Sequence, residues 1–148
     1  MTGQPIGIIG AGAWGTALAA VIAQKHEKVL LWSFEADVTE AINKTHCNTA
    51  YLPDFRLPDR ISATSNLADM ANCEFLLLVT PAQHLRVTLL QMPKSHAPFI
   101  LCSKGIEADS AMLMSEIVSR LRPDTPFAVL SGPTFAHEVA AGLPTAVT

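Results

Sequence analysis

The sequence predicts an α/β domain built on a doubly wound, mostly parallel sheet. Apolar runs alternate with helix-period stretches at intervals of about 25 to 35 residues, the spacing of βαβ units. The runs are continuously apolar, as strands covered on both faces are. The first run ends in a glycine-rich string that opens straight into a helical pattern. At 148 residues the chain has the length of one domain. With 49% hydrophobic and 16% charged residues it has ample material for a core and does not read as disordered.

Pro5-Ile-Gly-Ile-Ile-Gly10 is the first expected strand, and Trp14 to His26 the helix after it. Val29 to Ser33 is the second strand, followed by a helix over Glu35 to Asn43. Lys44 to Arg60, with Pro53 and Pro58, reads as one long irregular connection, a kind more often functional than idle. Ile61-Ser-Ala-Thr64 is shorter and suits an edge strand, with a helix over Asn66 to Asn72. Glu74 to Thr80, Pro98 to Ser103 and Pro126 to Ser131 repeat the buried-strand type. Helices are expected over Gln83 to Gln91 and over Asp109 to Leu121. In the latter, Leu113, Ile117, Val118 and Leu121 form an apolar stripe, and Ser110 or Asp109 supplies the cap. A short helix over Thr134 to Ala141 and a further strand beginning at Pro144 complete the chain.

Composition excludes several function classes. Ten Lys and Arg against 13 Asp and Glu give a formal charge of −3, which offers no footprint for nucleic acid or an anionic membrane surface. The longest apolar runs, such as Ala17 to Ala23, fall far short of the ~20 residues that cross a bilayer. The N-terminus carries no basic segment ahead of an apolar one, the first lysine being Lys25. A cytoplasmic location is therefore expected. Cys47, Cys73 and Cys102 form no CxxC pair and are read as reduced thiols, and the five histidines show no metal-ligand spacing.

Doubly wound sheets bind ligands at the carboxyl ends of their strands. The first expected strand ends in Gly10-Ala-Gly12-Ala-Trp-Gly15. A GxGxxG string alone is weak, but this one follows a strand and opens a helix. Gly10 permits the turn, Gly12 the approach of a pyrophosphate, and Gly15 close helix packing, while the helix N-terminus offers its N–H groups to the phosphates. These are the marks of a Rossmann-type dinucleotide site. The second strand ends Trp32-Ser33-Phe34-Glu35, with the acid that binds a ribose in NAD-preferring folds missing or displaced by two positions. Ser33 could meet a 2′-phosphate and Phe34 the adenine, so NAD and NADP both stay open.

Pro81, after Val79-Thr80, either lines the groove or simply starts the next helix. Lys104, directly after an apolar run and before Gly105, points a cation into the cleft, where it would neutralise a phosphate or polarise a carbonyl. Ser131-Gly-Pro-Thr134 is a second strand-to-helix turn, with Thr134 as N-cap and a second anion-binding helix start. His137 and Glu138 are read as structural.

Five strings carry a resemblance: Gly10 to Ala19, Asn48 to Pro53, Val79 to Ala82, Ser103 to Glu107, and Leu130 to Thr145. Together they resemble the NAD(P)-dependent glycerol-3-phosphate dehydrogenases of the bacterial biosynthetic type. The resemblance implies reduction of dihydroxyacetone phosphate to sn-glycerol 3-phosphate with NAD(P)H, feeding glycerophospholipid synthesis. It implies dinucleotide contacts at Gly10, Gly12, Ala13, Trp14, Gly15, Phe34, Lys104 and Ala136. Substrate-side positions would be Lys104, Gly132 and Thr134. Phe34 stands where bacterial members often carry a basic or histidine side chain.

Family members continue into a helical C-terminal domain that supplies the proton-donating lysine and the phosphate grip. The expectation is therefore that residues 1–148 are the dinucleotide-binding domain alone. Such a domain binds the dinucleotide without turning over, with catalytic Lys104 on its substrate side, and a homodimer is the expectation for the full-length protein. Two alternatives remain: a non-catalytic nucleotide-sensing module, and a related two-domain dehydrogenase of hydroxy or sugar acids.

Overall fold

Six parallel strands in the order β5-β2-β1-β6-β7-β8 form the main sheet of the computed structural model, which describes residues 3–148. The strands are β1 (Ile6–Ile9), β2 (Val29–Trp32), β5 (Ile61–Thr64), β6 (Phe75–Leu78), β7 (Phe99–Leu101) and β8 (Phe127–Val129). The helices are α1 (Ala13–Ile22), α2 (Ala36–Thr45), α3 (Ala82–Gln91), α4 (Met114–Leu121) and α5 (Ala136–Ala140). The chain leaves β1 for β2 and β5 on one side, then returns to lay β6 against β1 on the other. That reversal puts the topological switch point between β1 and β6, where a crevice opens at the carboxyl ends of the strands.

The register explains the two-layer core. Ile8 lies opposite Leu31 and Leu77, and these three point to one face, where Leu18, Ala19, Val38 and Ile42 of α1 and α2 cover them. Ile9, Leu76, Leu78 and Phe99 belong to the opposite face, under Leu85, Leu89, Ile117 and Val118 of α3 and α4. Ile8, Leu78, Leu85 and Ile117 are fully enclosed, each contributing roughly 2 kcal/mol of apolar burial.

The doubly wound parallel sheet, and Ile61–Thr64 as its edge strand, follow the expectation. Several details do not. The expected irregular stretch from Lys44 to Arg60 contains a small antiparallel pair, β3 (Cys47–Asn48) with β4 (Leu52–Arg56). The segment Leu67–Asn72 is a 3-10 helix, capped by Asn66 accepting the Ala68 N–H. The strands are not uniformly buried: Phe75 opens β6 at 38% exposure, and in the outermost strand, β8, Val129 is 54% exposed.

The helix expected from Asp109 starts only at Met114. The Ser110 hydroxyl is taken by the Glu107 carboxylate and Ala111 adopts a φ of 56°, so the chain turns at residues 108–110 and Leu113 comes back to bridge Ile106. Neither Ser110 nor Asp109 caps α4. The Glu116 side chain accepts the Leu113 N–H instead, and Leu113 is half exposed, outside the apolar stripe. Thr134 is not an N-cap either: α5 begins at Ala136 behind Phe135, without a side-chain cap. No strand forms after Pro144, although Ser131 and Thr148 exchange two backbone hydrogen bonds of 2.8 and 2.7 Å. Among the described residues no helix is long and apolar enough to cross a membrane.

Candidate dinucleotide cleft

The crevice at the switch point is a cleft of about 840 Å³. Its floor is the turn between β1 and α1. Gly10 leaves β1 with a φ of +121°, and a Cβ there would lie 2.7 Å from the Val79 carbonyl oxygen. Only glycine allows this turn against β6. At Gly15 a Cβ would come within 1.8 Å of the Gly10 oxygen, so α1 can begin this close to β1 only without one. Gly12 differs from both: a Cβ on it would meet nothing within 4 Å, because it faces the open cleft.

Gly12 is also the N-cap of α1, with no side chain capping it and no acid in the first turn. The first-turn N–H groups, which no helix can satisfy internally, and the positive dipole end therefore face the cleft. This arrangement suits an anion of pyrophosphate size. Trp14 and Phe34 flank the opening, and Phe34 is 85% exposed.

A side-chain chain of contacts holds this floor from behind. Asn48 is completely buried; its Nδ2 donates to the Ala11 carbonyl and to Thr16 Oγ1, both at 2.8 Å. Its Oδ1 accepts the Tyr51 N–H at 3.2 Å, and the Tyr51 hydroxyl donates to both Glu35 carboxylate oxygens, at 2.8 and 3.0 Å. Asn48 ties the β3–β4 excursion to the glycine turn. No rule about strand ends pointed to it; Asn48 and Tyr51 entered only through a string of resemblance. Ser33 is 2% exposed and its Oγ accepts the Glu35 N–H, so its hydroxyl serves the turn that presents Glu35.

On the other side the cleft is walled by the ends of β6 and β7. Pro81 resolves both of its readings: it lines the cleft and is the N-cap residue of α3. Thr80 Oγ1 lines the same wall, buried and without a hydrogen-bond partner. An unpartnered hydroxyl there is free to meet a polar ligand group. Ser103 Oγ donates to the Thr80 carbonyl at 2.6 Å, tying β7 to β6. Burial pushes the Cys102 thiol up to about 11, Lys104 opposing, so it stays protonated and is no nucleophile.

Lys104 is exposed on the rim, the one Lys or Arg among the described residues lining the cleft, and its Nζ donates to the Gly132 carbonyl at 3.2 Å. The loop behind it is clamped to α3. Arg86 grips the Glu107 carboxylate in a forked pair at 2.8 to 3.1 Å, and Gln83 holds the Ile106 carbonyl and the Ala108 N–H, both at 2.9 Å. The Arg86 guanidinium, with help from the Ser110 hydroxyl, holds the Glu107 carboxyl below its ordinary range.

Gly10, Gly12, Ala13, Trp14, Gly15, Phe34 and Lys104 thus meet around one cleft. Gly132 reaches it only through its carbonyl on Lys104. Thr134 donates its N–H to Gly132. Ala136 packs instead with Ala17, Leu52 and Val139, where α5 lies on α1. The expected helix start after Thr134 therefore does not reach the cleft; besides α1, the helix that brings its N-terminus there is α3, through Pro81.

Comparison with known proteins agrees with this geometry. Residues 5–148 match the family described as NAD-dependent glycerol-3-phosphate dehydrogenase N-terminus. A glycerol-3-phosphate dehydrogenase [NAD(P)+] from Erythrobacter litoralis is 50% identical over 143 residues, 97% of this chain and 43% of that protein. Its counterpart from Zymomonas mobilis is 52% identical, over 97% and 42%. The crystal structure of glycerol-3-phosphate dehydrogenase from Coxiella burnetii superposes with a TM-score of 0.88 at 35% identity, covering 99% of this chain and 46% of that one. The chain spans less than half the length of these relatives. With a switch-point cleft, a glycine turn beneath an uncapped helix and a family match along almost its whole length, the chain belongs to the NAD(P)-dependent glycerol-3-phosphate dehydrogenases, whose N-terminal domain it matches.

Proposed function

We propose that the cleft is the NAD(P)H site of a cytoplasmic oxidoreductase that reduces dihydroxyacetone phosphate to sn-glycerol 3-phosphate, a precursor of glycerophospholipids. The observation that carries this reading is the open space at Gly12 directly under the uncapped N-terminus of α1. A phosphate fits there and the helix favours it.

When bound, the reduced nicotinamide supplies the hydride. The protein's part is placement and charge. The backbone N–H groups at Ala13, Trp14 and Gly15 would hold the pyrophosphate, with Gly10 and Gly12 keeping the turn open, and Phe34 would offer its ring to the adenine. Lys104, on the β7 side, attracts the substrate and stabilises the negative charge that develops on its carbonyl oxygen. One well-placed donor of this kind is worth about 10²-fold in turnover. Gly132 and Thr134 belong to the same substrate side through the Gly132 carbonyl on Lys104. Ala136, expected to contact the dinucleotide, packs on α1 in this chain. The proton donor and the phosphate grip are assigned to a helical C-terminal domain of the full-length protein.

The test is an assay of the full-length protein with dihydroxyacetone phosphate, following oxidation of NADH and NADPH. Substrate-dependent oxidation is expected, and Lys104→Ala should lower kcat about 10²-fold with a much smaller change in dinucleotide affinity. Oxidation that does not depend on dihydroxyacetone phosphate, or an unchanged kcat in the variant, overturns the assignment.

A further inference from the structure

The strand order divides the cleft into two ends. The pyrophosphate position lies over β1; β2 flanks it on one side, β6 and β7 on the other. Lys104 stands at the β7 end, so the nicotinamide end lies there and the adenosine end over β2. At that β2 end the cleft wall offers Ser33, Phe34, Glu35 and Tyr51. None of the four is cationic. The Glu35 carboxylate is fixed by both bonds from the Tyr51 hydroxyl, and Tyr51 is fixed in turn by its N–H on the buried Asn48. The acid therefore has one defined place in the cleft wall although it stands three positions past the end of β2. The hydrogen bond and charge of Glu35, then desolvation, raise the Tyr51 hydroxyl above its ordinary range, and Asp37, in the first turn of α2, adds a smaller push as a second negative charge. A hydroxyl so raised stays protonated and goes on donating to Glu35.

We propose that the Glu35–Tyr51 pair selects an unphosphorylated adenosine ribose, so that this chain takes NAD(H) in preference to NADP(H). The inference rests on the reading of the cleft as a dinucleotide site. A ribose 2′-hydroxyl donates to the free lone pairs of a carboxylate already oriented by Tyr51. A 2′-phosphate brings a charge of about −1.5 to −2 against the same carboxylate and Asp37, with no Lys or Arg among the described lining residues of that end to receive it. Rejection of the phosphorylated ribose comes from this unrelieved repulsion as much as acceptance comes from the hydrogen bond.

The experiment is a titration of the 148-residue chain with NADH and with NADPH, read by quenching of Trp14 and Trp32 and confirmed by calorimetry. NADH should bind at least about tenfold more tightly at low ionic strength, and the ratio should shrink as salt screens the repulsion. Glu35→Gln should bring the two affinities to within about threefold of each other, weakening NADH and strengthening NADPH. Tyr51→Phe, which keeps the ring and removes only the hydroxyl, should lower the ratio part of the way and guards against a folding effect of changing the residue before α2. Equal affinities in the unaltered chain, or a tenfold ratio that survives Glu35→Gln, overturn the inference and leave the dinucleotide site standing. Saturable binding of neither NADH nor NADPH overturns the reading beneath it, and the inference falls with that reading.

Discussion

Two loops face each other across the cleft, residues 10–15 after β1 and residues 104–113 after β7, and they keep their shapes by opposite means. The first is shaped by the absence of side chains: a +121° φ at Gly10 and a helix that starts where a single Cβ at Gly15 would collide with the backbone. The second is shaped by their presence, through the Arg86 fork on Glu107, the Ser110 hydroxyl and Gln83. A backbone-built loop can present N–H groups to an anion with no side chain in the way. A clamped loop can hold one cation, Lys104, at the rim. The difference matches the two tasks proposed for them.

The sharpest way to break the first loop is to add one carbon atom. In Gly15→Ala the new Cβ meets the Gly10 carbonyl at 1.8 Å, a backbone atom that cannot step aside. Denaturant unfolding should show a loss of about 3 kcal/mol, with dinucleotide binding lost alongside. Gly12→Ala adds the same atom where nothing lies within 4 Å. Its stability should stay within about 0.5 kcal/mol of the unaltered chain, while NADH affinity falls about tenfold because the methyl occupies the proposed phosphate cradle. If Gly12→Ala binds NADH unchanged, the cradle is not where the pyrophosphate sits.

Asn48→Ala comes next in size. It removes no part of the cleft wall, but leaves the Ala11 carbonyl, Thr16 Oγ1 and the Tyr51 N–H short of a partner in a buried place. A loss of about 2 kcal/mol is expected, with NADH binding reduced far less than in Gly12→Ala. If the two variants weaken binding equally, the glycine turn depends on its side-chain tether and the contrast between the loops fails.

The same contrast explains what could be read from the sequence. The glycine turn, the parallel sheet and the edge strand Ile61–Thr64 were legible because their causes are local: glycine spacing, unbroken apolar runs, and the length of each run. The Lys104 loop was only half legible. Lysine after an apolar run is visible, but Ser110 looks like a helix cap until Glu107, three residues away, takes its hydroxyl, and Glu107 is gripped by Arg86 from 21 residues upstream. Asn48 is hidden for the same reason, its partners lying 32 and 37 residues away. Thr134 fails as a cap although its residue type is right, because α5 begins two residues later, behind Phe135. Residue type and short spacing carry turns and strands. They carry no information about which distant side chain claims a hydroxyl.

The smallest effect belongs to the clamp, and it shows in pH. Arg86 holds the folded Glu107 carboxyl below its ordinary range, chiefly through the forked hydrogen bond, with Ser110 adding to it. An unfolded glutamate titrates near about 4.3. A group whose folded value lies lower gives its full stabilisation above the unfolded value, and loses it as pH falls through that value toward the folded one. Glu107→Gln keeps the shape and one acceptor oxygen but removes the charge. Its melting temperature should lie a few degrees below that of the unaltered chain at neutral pH, and the gap should narrow as the pH is lowered through about 4. Every other carboxylate titrates in both proteins, so the difference between their melting curves isolates this one. Parallel curves from neutral pH downward would show that Glu107 is not ionised by its clamp, leaving Gln83 to hold the lysine loop.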